Sequence, residues 1–222
     1  RMFNEISGTY DLLNRLLSMG IDQHWRKEVL KRLKAQNPED ILDVATGTGD
    51  LAIEEAKLGD VKITGGDIAD QMLKHGHDKI DKAGVSHQVV LEYGDSENLT
   101  YVDQTFDAIT VAFGVRNFEN LDQGLAELYR VLKPSGQIHI LEFKTQKTFP
   151  MKQLFGFYFR YILPLIGKLI SKNNQAYSYL PESVGAFPSG NDFLEHLKQA
   201  GFKNSTCTSL TLGICAIYSA SK

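Results

Sequence analysis

The chain has 222 residues and a formal net charge of −3, with 42% hydrophobic and 23% charged residues. This length is enough for one α/β domain with a full core, and the ordinary composition excludes a largely disordered chain. Since the chain has no basic excess, we expect no nucleic-acid partner. Its two cysteines fit no metal-binding spacing, and we expect them to be reduced thiols in a cytoplasmic protein.

The first forty residues are predicted to be helical. Apolar residues recur at helical spacing from Tyr10 to Leu17. A second helix is expected to begin at Asp22, whose side chain can cap it, and to end at Asn37 before a proline. We therefore predict that residues 1–37 form a helical lid on a single domain that spans residues 1–222.

From residue 40 the pattern alternates between strands and helices. Short apolar runs predict five strands, and longer segments with helical periodicity follow most of them. Strands that are joined by helices pair in parallel, which predicts a doubly wound α/β sheet. The predicted strands are 41–45, 61–66, 89–93, 106–113 and 137–143, and the helices between them are 50–58, 68–83 and 121–132.

The C-terminal end follows a different pattern. A helix is predicted over residues 191–200 and closes at Gly201, and two β-like runs follow at 203–209 and 212–219. Two strands joined by so short a link pair antiparallel. We therefore predict a mostly parallel seven-stranded sheet that finishes in an antiparallel C-terminal hairpin.

The turn after the first strand is rich in glycine. It reads Ala45-Thr46-Gly47-Thr48-Gly49-Asp50 and joins a buried strand to a helix, where the backbone can approach a ligand closely. The residues from Gly47 to Ala52 also fit the dinucleotide pattern GxGxxA. The turn alone therefore indicates either an adenosyl or a dinucleotide ligand.

Acidic residues in or after the first three strands narrow the choice. Asp43 lies inside the first strand, where a buried carboxylate can order the loop or reach a cationic ligand through water. Asp67 ends the second strand and can accept both hydroxyls of a ribose. Asp95 and Ser96 follow the third strand, where an adenine edge would lie. Each acid alone could equally cap a helix, but together they favour an adenosyl ligand.

These motifs resemble those of a known enzyme family. The segment from Leu42 to Asp50 resembles the first motif of class I S-adenosylmethionine methyltransferases, which implies their Rossmann-like fold. Further segments are similar to signatures of the ubiquinone/menaquinone biosynthesis C-methyltransferases. These are Tyr10-Asp11-Leu12-Leu13-Asn14 with Ser18, His24 and Trp25, then Phe113-Gly114-Val115-Arg116-Asn117, then Arg130-Val131-Leu132-Lys133-Pro134-Ser135-Gly136 with Leu141-Glu142-Phe143, and Tyr179-Leu180-Pro181-Glu182-Ser183. The resemblance covers essentially the whole chain, with mild departures such as Thr46, where the family often has glycine.

The resemblance implies S-adenosylmethionine as the methyl donor. It implies that the turn contacts the methionyl part, that Asp67 holds the ribose and that the acid and serine after the third strand lie beside the adenine. Tyr10 could close the pocket from the first helix or simply pack there. The predicted cofactor site therefore comprises Tyr10, Asp43, Ala45, Gly47, Thr48, Gly49, Asp67, Ile68, Asp95 and Ser96.

The resemblance also implies a prenylated quinol as the methyl acceptor. Demethylmenaquinol is our first choice, and the benzoquinol precursor of ubiquinone is the alternative. Carbon methylation needs an electron-rich ring, so one quinol hydroxyl should lose its proton. Arg116 and Asn117 follow the fourth strand at the edge where such sheets bind ligands. We predict that Arg116 stabilises the phenolate, that Asn117 orients it, and that His24 is the alternative base.

The stretch from Phe143 to Pro181 contains six lysines and arginines and no Asp or Glu, which leaves 18 basic against 27 acidic residues in the rest of the chain. Within it, residues 154–166 are apolar and aromatic but are interrupted by Arg160 and Pro164, as a transmembrane span would not be. Such a stretch is typical of an interfacial helix on an anionic membrane, although it could equally cover the sheet. We predict a substrate- and membrane-binding insertion over 144–190, and hence peripheral membrane association.

Three other functions remain open from sequence alone. A nicotinamide-dependent oxidoreductase could use the same glycine turn, but it leaves the antiparallel hairpin and the Asp95-Ser96 pair unexplained. A non-catalytic quinone-binding protein and a small-molecule O-methyltransferase are the others. The histidines do not cluster with acids at metal spacing, so we expect no metal. A homodimer is compatible with the sequence, which does not decide the oligomeric state.

Overall fold

A computed structural model of the protein describes residues 20–145 and 175–222, together with positions 18, 153, 156, 157 and 161. The described strands form one seven-stranded sheet. In chain order the elements are α1 (Asp22–Gln36), β1 (Asp40–Val44), α2 (Asp50–Glu55), β2 (Lys62–Asp67), α3 (Asp70–Ala83), β3 (Val89–Tyr93), β4 (Phe106–Ala112), α4 (Leu121–Val131), β5 (Leu132–Phe143), α5 (Gln175–Ala186), α6 (Asn191–Gln199), β6 (Lys203–Leu210) and β7 (Cys215–Ser221).

The strand order is β3-β2-β1-β4-β5-β7-β6. Strands β1 to β5 pair in parallel, and β7 lies antiparallel between β5 and β6. Both the parallel sheet and the antiparallel C-terminal hairpin were predicted and are confirmed. The chain runs outward from β1 through β2 to β3 and then returns to place β4 on the other side of β1. This reversal opens a crevice at the carboxyl ends of β1 and β4, the usual ligand position in such sheets.

Helices cover both faces of the sheet, which explains why its central strands are apolar throughout. One core cluster joins the strands to α1, α2 and α3, and a second joins them to α4 and α6. Strand β1 contributes to both, because Ile41 faces the first cluster and Leu42 the second, each fully buried. The sheet edge that carries the strand ends is thereby held rigidly between two packed layers.

Helix α1 belongs to the core. Trp25, Val29 and Leu33 on its inner face are at most 2% exposed. The Trp25 indole Nε1 donates a 2.7 Å hydrogen bond to the Thr211 hydroxyl in the link between β6 and β7. The part of the predicted lid that precedes Ser18 lies outside the described residues.

The predicted capping role of Asp22 is wrong. The helix is entered at Ile21 without any side-chain cap hydrogen bond. Instead, the carboxylate of Asp22 accepts hydrogen bonds of 2.6 Å from the Ser18 hydroxyl and from Nη2 of Arg26. A buried carboxylate beside an arginine gains more from that cation than from a backbone amide. The predicted end of the helix at Asn37, whose φ is 53°, is confirmed.

Two element boundaries differ from the prediction for a local reason. The fifth strand was predicted to begin at residue 137, yet β5 begins at Leu132. Ser135 takes a positive φ of 66°, and the pairing with β4 shifts between Phe106 and Ala108, so residues 133–136 form an irregularity within the strand. Strand β7 begins later than predicted, at Cys215, because residues 211–213 form a 3₁₀ turn.

The predicted insertion lies largely outside the described residues. Of the apolar stretch 154–166, the structure describes Gly156, Phe157 and Tyr161. Its C-terminal part is described as helix α5, which was not predicted and contains Pro181. Within the described ranges, no helix is long and apolar enough to cross a membrane.

The packing of α1 can be tested at Trp25. We expect Trp25→Ala to lower the free energy of unfolding by about 3–5 kcal/mol, because it leaves a large cavity between the helix and the sheet. Thr211→Val removes only the indole hydrogen bond and should cost about 1 kcal/mol. Urea unfolding of both variants checks this; a loss below about 1 kcal/mol for Trp25→Ala would show that α1 is not part of the core.

Candidate active site

A cavity of about 430 Å³ lies at the carboxyl edge of the sheet. Its walls are the residues that end or follow β1, β2, β3 and β4, with one side chain from α3 and one from α5. Four of the lining residues are acidic, and no lysine, arginine or histidine is among those that the structure describes there. The acidic residues are Asp67, Asp95, Glu97 and Glu119.

The glycine turn forms one wall of the cavity. Gly47 and Gly49 have φ angles of 60° and 77°, in the left-handed region that other residues adopt only with strain. The Thr46 amide donates to the Gly66 carbonyl at 3.1 Å, which ties the turn to the neighbouring strand β2. The turn is therefore fixed with its backbone against the cavity, as a ligand-holding loop requires.

Asp43 lies directly beneath this turn and is 1% exposed. Its Oδ2 accepts a 2.7 Å hydrogen bond from the Thr46 hydroxyl. Of the two roles left open by the sequence, the structure therefore shows the loop-ordering one. Thr46, which departs from the usual glycine of the resembled motif, supplies the donor.

A second buried carboxyl shares a hydroxyl with Asp43. The Thr110 Oγ1 lies 2.8 Å from Glu55 Oε1 and 3.3 Å from Asp43 Oδ1. A hydroxyl has one hydrogen, so it can donate to one carboxylate only, and the other carboxyl must donate to it in protonated form. Burial raises the pKa of Glu55 well above its usual range, and the charge of Asp43 raises it further. We infer that, above the pKa of Asp43, protonated Glu55 donates to Thr110, which donates to the ionised Asp43.

Asp67 joins the turn to the end of β2. Its Oδ2 accepts from the Gly47 amide at 2.9 Å, and its Oδ1 accepts from the Ala69 amide at 2.8 Å. Burial raises the pKa of Asp67, and these backbone hydrogen bonds oppose the rise. Each carboxylate oxygen keeps a second lone pair, so Asp67 can still accept both hydroxyls of a ribose.

The residues around the ends of β2 and β3 form a partly apolar slot. Ile68 and Tyr93 line the cavity with side chains that are 61% and 64% exposed, and Met72 of α3 lies in the same wall. Asp95 lies beside them and accepts a 2.9 Å hydrogen bond from the Glu97 amide through Oδ1. A flat heterocycle with polar edges fits such a slot.

Most of the predicted cofactor residues meet at this cavity. Asp43 and Thr48 line a small adjoining cavity of about 40 Å³ that shares part of the glycine turn, whereas Gly49 lines neither. Tyr10 lies outside the described residues. The predicted residues that line the main cavity are Ala45, Gly47, Asp67, Ile68, Asp95, Ser96 and Asn117.

The predicted contact of Arg116 with the acceptor needs correction. Its Nη1 lies 2.9 Å from Glu142 Oε1 in an ion pair whose side chains are 7% and 0% exposed. The same nitrogen also donates to the Phe113 carbonyl, and Nε donates to the Ser183 hydroxyl at 3.3 Å. A buried cation needs a counter-charge, and Glu142 supplies it. Arg116 is accordingly absent from the described lining of the cavity.

Asn117 does reach the cavity, together with a tyrosine that sequence reasoning gave no role. The Tyr179 hydroxyl donates a 2.9 Å hydrogen bond to Asn117 Oδ1, and both side chains line the wall. Tyr179 was part of a resembled motif, but it lies on α5, more than sixty residues away in sequence. Only the folded chain places it beside the end of β4.

His24 lies on the exposed face of α1. It is not among the described residues that line either cavity. The structure therefore gives the predicted alternative base no position beside a bound acceptor.

With this geometry in view, similarity to known proteins decides the family. The model of the ubiE/COQ5 methyltransferase family matches residues 1–222. The chain belongs to this family. It is 46% identical to the demethylmenaquinone methyltransferase of Bacteroides fragilis, over 100% of this chain and 91% of that protein. It is 44% identical to the ubiquinone/menaquinone biosynthesis C-methyltransferase UbiE of Geotalea daltonii, over 100% of this chain and 94% of that protein.

A solved structure supports the fold of this ubiE/COQ5 family member. The crystal structure of a SAM-dependent methyltransferase from Aquifex aeolicus superposes with a TM-score of 0.65 at 20% identity. The match covers 88% of each chain. The predicted Rossmann-like class I methyltransferase fold is thereby confirmed.

Several cavity residues of this methyltransferase were missed by sequence reasoning. Phe113 ends the predicted fourth strand, and Phe118 and Glu119 follow shortly after it, so their position at the carboxyl edge was available as a signal. Met72 and Tyr93 lie within elements whose residues otherwise read as core. Among the described residues, no group of three His, Cys, Asp or Glu side chains is arranged to hold a metal ion.

The buried carboxyls should make stability depend on pH. Burial raises the pKa of Asp43 from 3.8 to about 7, so the folded state keeps a proton that the unfolded chain releases. The free energy of unfolding of the ligand-free protein should therefore fall as pH rises from about 4 to about 7. We expect Asp43→Asn to remove a fall on the order of 2–4 kcal/mol.

Urea unfolding at a series of pH values measures this dependence. The exposed Asp60 provides the control, because Asp60→Asn changes charge without touching the buried pair. Parallel pH curves for the wild type and Asp43→Asn would contradict the assignment.

Proposed function

We propose that the protein transfers a methyl group from S-adenosylmethionine to a ring carbon of a prenylated quinol, with demethylmenaquinol as the acceptor. The acidic lining of the cavity is the observation that supports S-adenosylmethionine as the methyl donor. Four carboxylates and no described basic side chain favour a cationic ligand and oppose the pyrophosphate of a dinucleotide. When bound, S-adenosylmethionine supplies an electrophilic methyl group on a positively charged sulfur.

The donor would be held along the edge from β1 to β3. The glycine turn would hold the methionyl part with its backbone amides, and Asp67 would accept the ribose hydroxyls. Ile68, Met72 and Tyr93 would flank the adenine. A volume of about 430 Å³ lies within the usual range for small-molecule sites.

The acceptor would lie toward the end of β4. Phe113, Phe118 and Tyr179 provide aromatic surface for a flat ring, and Asn117 provides a hydrogen-bonding amide. Because Glu142 engages Arg116, Asn117 takes the contact with the ring oxygen that was assigned to the arginine. Such walls hold the acceptor carbon in line with the donor methyl group, which converts an encounter into an intramolecular step.

The choice of acceptor is supported by the relatives. The Bacteroides fragilis relative is named as a demethylmenaquinone methyltransferase, and the Geotalea daltonii relative is named for both ubiquinone and menaquinone biosynthesis. We therefore place demethylmenaquinol first and the ubiquinone precursor second.

A prenylated quinol resides in a membrane, so the enzyme must reach the membrane surface. The segment 143–181, which contains no Asp or Glu, has the composition for such contact. Its six basic residues would each add about 1 kcal/mol near an anionic surface. Two of its described side chains, Phe157 and Tyr161, are 56% and 53% exposed, and their ring centroids lie 5.2 Å apart. Exposed aromatic rings among cations are typical of interfacial membrane contacts.

A methyl-transfer assay with reduced naphthoquinone and benzoquinone acceptors tests the proposed reaction. We expect turnover of the naphthoquinol, and calorimetry should show binding of S-adenosylhomocysteine but not NADH. Asp67→Asn should weaken S-adenosylhomocysteine binding about 10- to 100-fold, because an acceptor of the ribose hydroxyls is lost. Asp60→Asn should leave it unchanged. Binding of NADH in place of S-adenosylhomocysteine would refute the donor assignment.

Membrane docking is tested by sedimentation with phosphatidylglycerol vesicles. We expect binding at low salt that weakens as salt increases, because exposed charges are screened. The pair Lys147→Glu and Lys152→Glu should reduce binding at least about tenfold. The pair Lys57→Glu and Lys62→Glu alters net charge equally outside the segment and should have little effect. Equal losses for both pairs, or no binding at low salt, would rule out docking by this segment.

A further inference from the structure

We propose that Tyr179 is a positioning residue that fixes the side-chain amide of Asn117, so that its NH₂ group and not its carbonyl oxygen faces the methyl acceptor. This inference rests on the proposed function and names the group that recognises the acceptor oxygen. The site would then select a ring whose reacting carbon lies beside an ionised hydroxyl.

The hydrogen bond between the two side chains defines the orientation. The Tyr179 hydroxyl donates to Asn117 Oδ1 at 2.9 Å, which occupies the carbonyl end of the amide. The Nδ2 end has no hydrogen-bond partner within the described part of the chain. Both side chains line the cavity, so the unused donor is available to a ligand there. An NH₂ group can donate to an oxygen but cannot accept a proton from it.

The backbone beneath Asn117 is held independently of Tyr179. Residues 115–117 form a 3₁₀ turn, and the Asn117 amide donates to the Gly114 carbonyl at 2.9 Å. The Arg116 amide lies 3.3 Å from Glu142 Oε2, and the Arg116 side chain forms the buried ion pair with the same carboxylate. Loss of the tyrosine hydroxyl should therefore free the amide to rotate without displacing the turn.

Arg116 also explains why Tyr179 reaches this position. Arg116 Nε donates to the Ser183 hydroxyl at 3.3 Å, and Ser183 lies one helical turn after Tyr179 on α5. Residues four apart lie on the same face of a helix. Arg116 thus contacts Ser183, and its neighbour Asn117 contacts Tyr179, on the same face of α5. By holding α5 in place, Arg116 keeps Tyr179 beside Asn117.

The orientation matters because the acceptor oxygen changes charge. A phenolate activates the ring carbon beside it, and a hydrogen bond from a neutral donor to an anion is about twice as strong as one between neutral groups. A carbonyl oxygen in the same place would repel the anion. An NH₂ group directed at the acceptor therefore lowers the pKa of the ring hydroxyl, whereas the rotated amide would raise it.

The first test measures that pKa without any turnover. 1-Naphthol bound to the complex with S-adenosylhomocysteine can be titrated by absorbance, since the naphtholate absorbs at longer wavelength. We expect the pKa of bound naphthol to be about one unit higher in Tyr179→Phe than in the wild type, a tenfold change in ionisation. Tyr129→Phe is the matched control, because Tyr129 packs on Phe202 away from the cavity. An unchanged pKa in Tyr179→Phe would overturn the proposal.

The second test measures catalysis in Tyr179→Phe and in a variant that replaces the NH₂ group of Asn117 by an oxygen. Tyr179→Phe should lower kcat about tenfold and move the rising limb of the kcat–pH profile to higher pH, with unchanged affinity for S-adenosylhomocysteine. Asn117→Asp keeps the acceptor for Tyr179 but directs a carboxylate oxygen at the quinol, so activity should fall at least about 100-fold. Near-normal activity of Asn117→Asp would show that the carbonyl end faces the acceptor and would overturn the proposal.

A double variant separates positioning from simple packing. If Tyr179 acts through Asn117, Tyr179→Phe should cause no further loss of kcat in an Asn117→Ala background. Additive losses would contradict the proposal. Failure of the proposed function is recognised separately, as absent turnover of every quinol by the wild type, while the naphthol titration still reports on the amide.

Discussion

The hydrogen bond from the Gly47 amide to Asp67 Oδ2 joins the ends of the neighbouring strands β1 and β2, and the rest of the site is arranged around it. It fixes the glycine turn from one side. On the other side Gly114, after β4, approaches so closely that an added Cβ would lie 2.4 Å from the Cβ of Ala45. A side chain at Gly114 would therefore push the ends of β1 and β4 apart. The cavity therefore exists because three strand ends converge with almost no side-chain volume between them.

The charged side chains along this edge of the sheet favour a cationic ligand in the cavity. Beneath the glycine turn, the Thr110 hydroxyl lies between the buried carboxyls of Glu55 and Asp43. At the acceptor end, Arg116 is neutralised by Glu142 and presents no free cation to the cavity. A free guanidinium there would compete with the sulfonium for the same acidic lining. Because Arg116 is held in the ion pair with Glu142, the neutral side-chain amide of Asn117 faces the cavity instead. This amide can recognise an anionic oxygen without repelling a cationic donor.

The outline of the fold could be predicted from sequence because it depends on local patterns. Apolar runs located the strands, and Asp67 and Asp95 could be placed because they end or follow strands. Pairings between side chains distant in sequence could not be predicted. Arg116 was assigned to the acceptor because nothing local shows that Glu142, twenty-six residues later, shares its buried site. Tyr179 had no predicted role for the same reason. Asp22 was wrongly predicted to cap its helix although its partner Arg26 is only four residues later, because the sequence does not show that this pair is buried.

The placement of Trp25 has a practical consequence. It is the one tryptophan of the chain, so the intrinsic indole emission comes from a single known position. Its ring centroid lies 6.0 Å from that of Phe113, which lines the cavity. Fluorescence excited in the indole band is thus a built-in optical reporter that requires no label, because a ligand that shifts Phe113 alters the surroundings of the fluorophore.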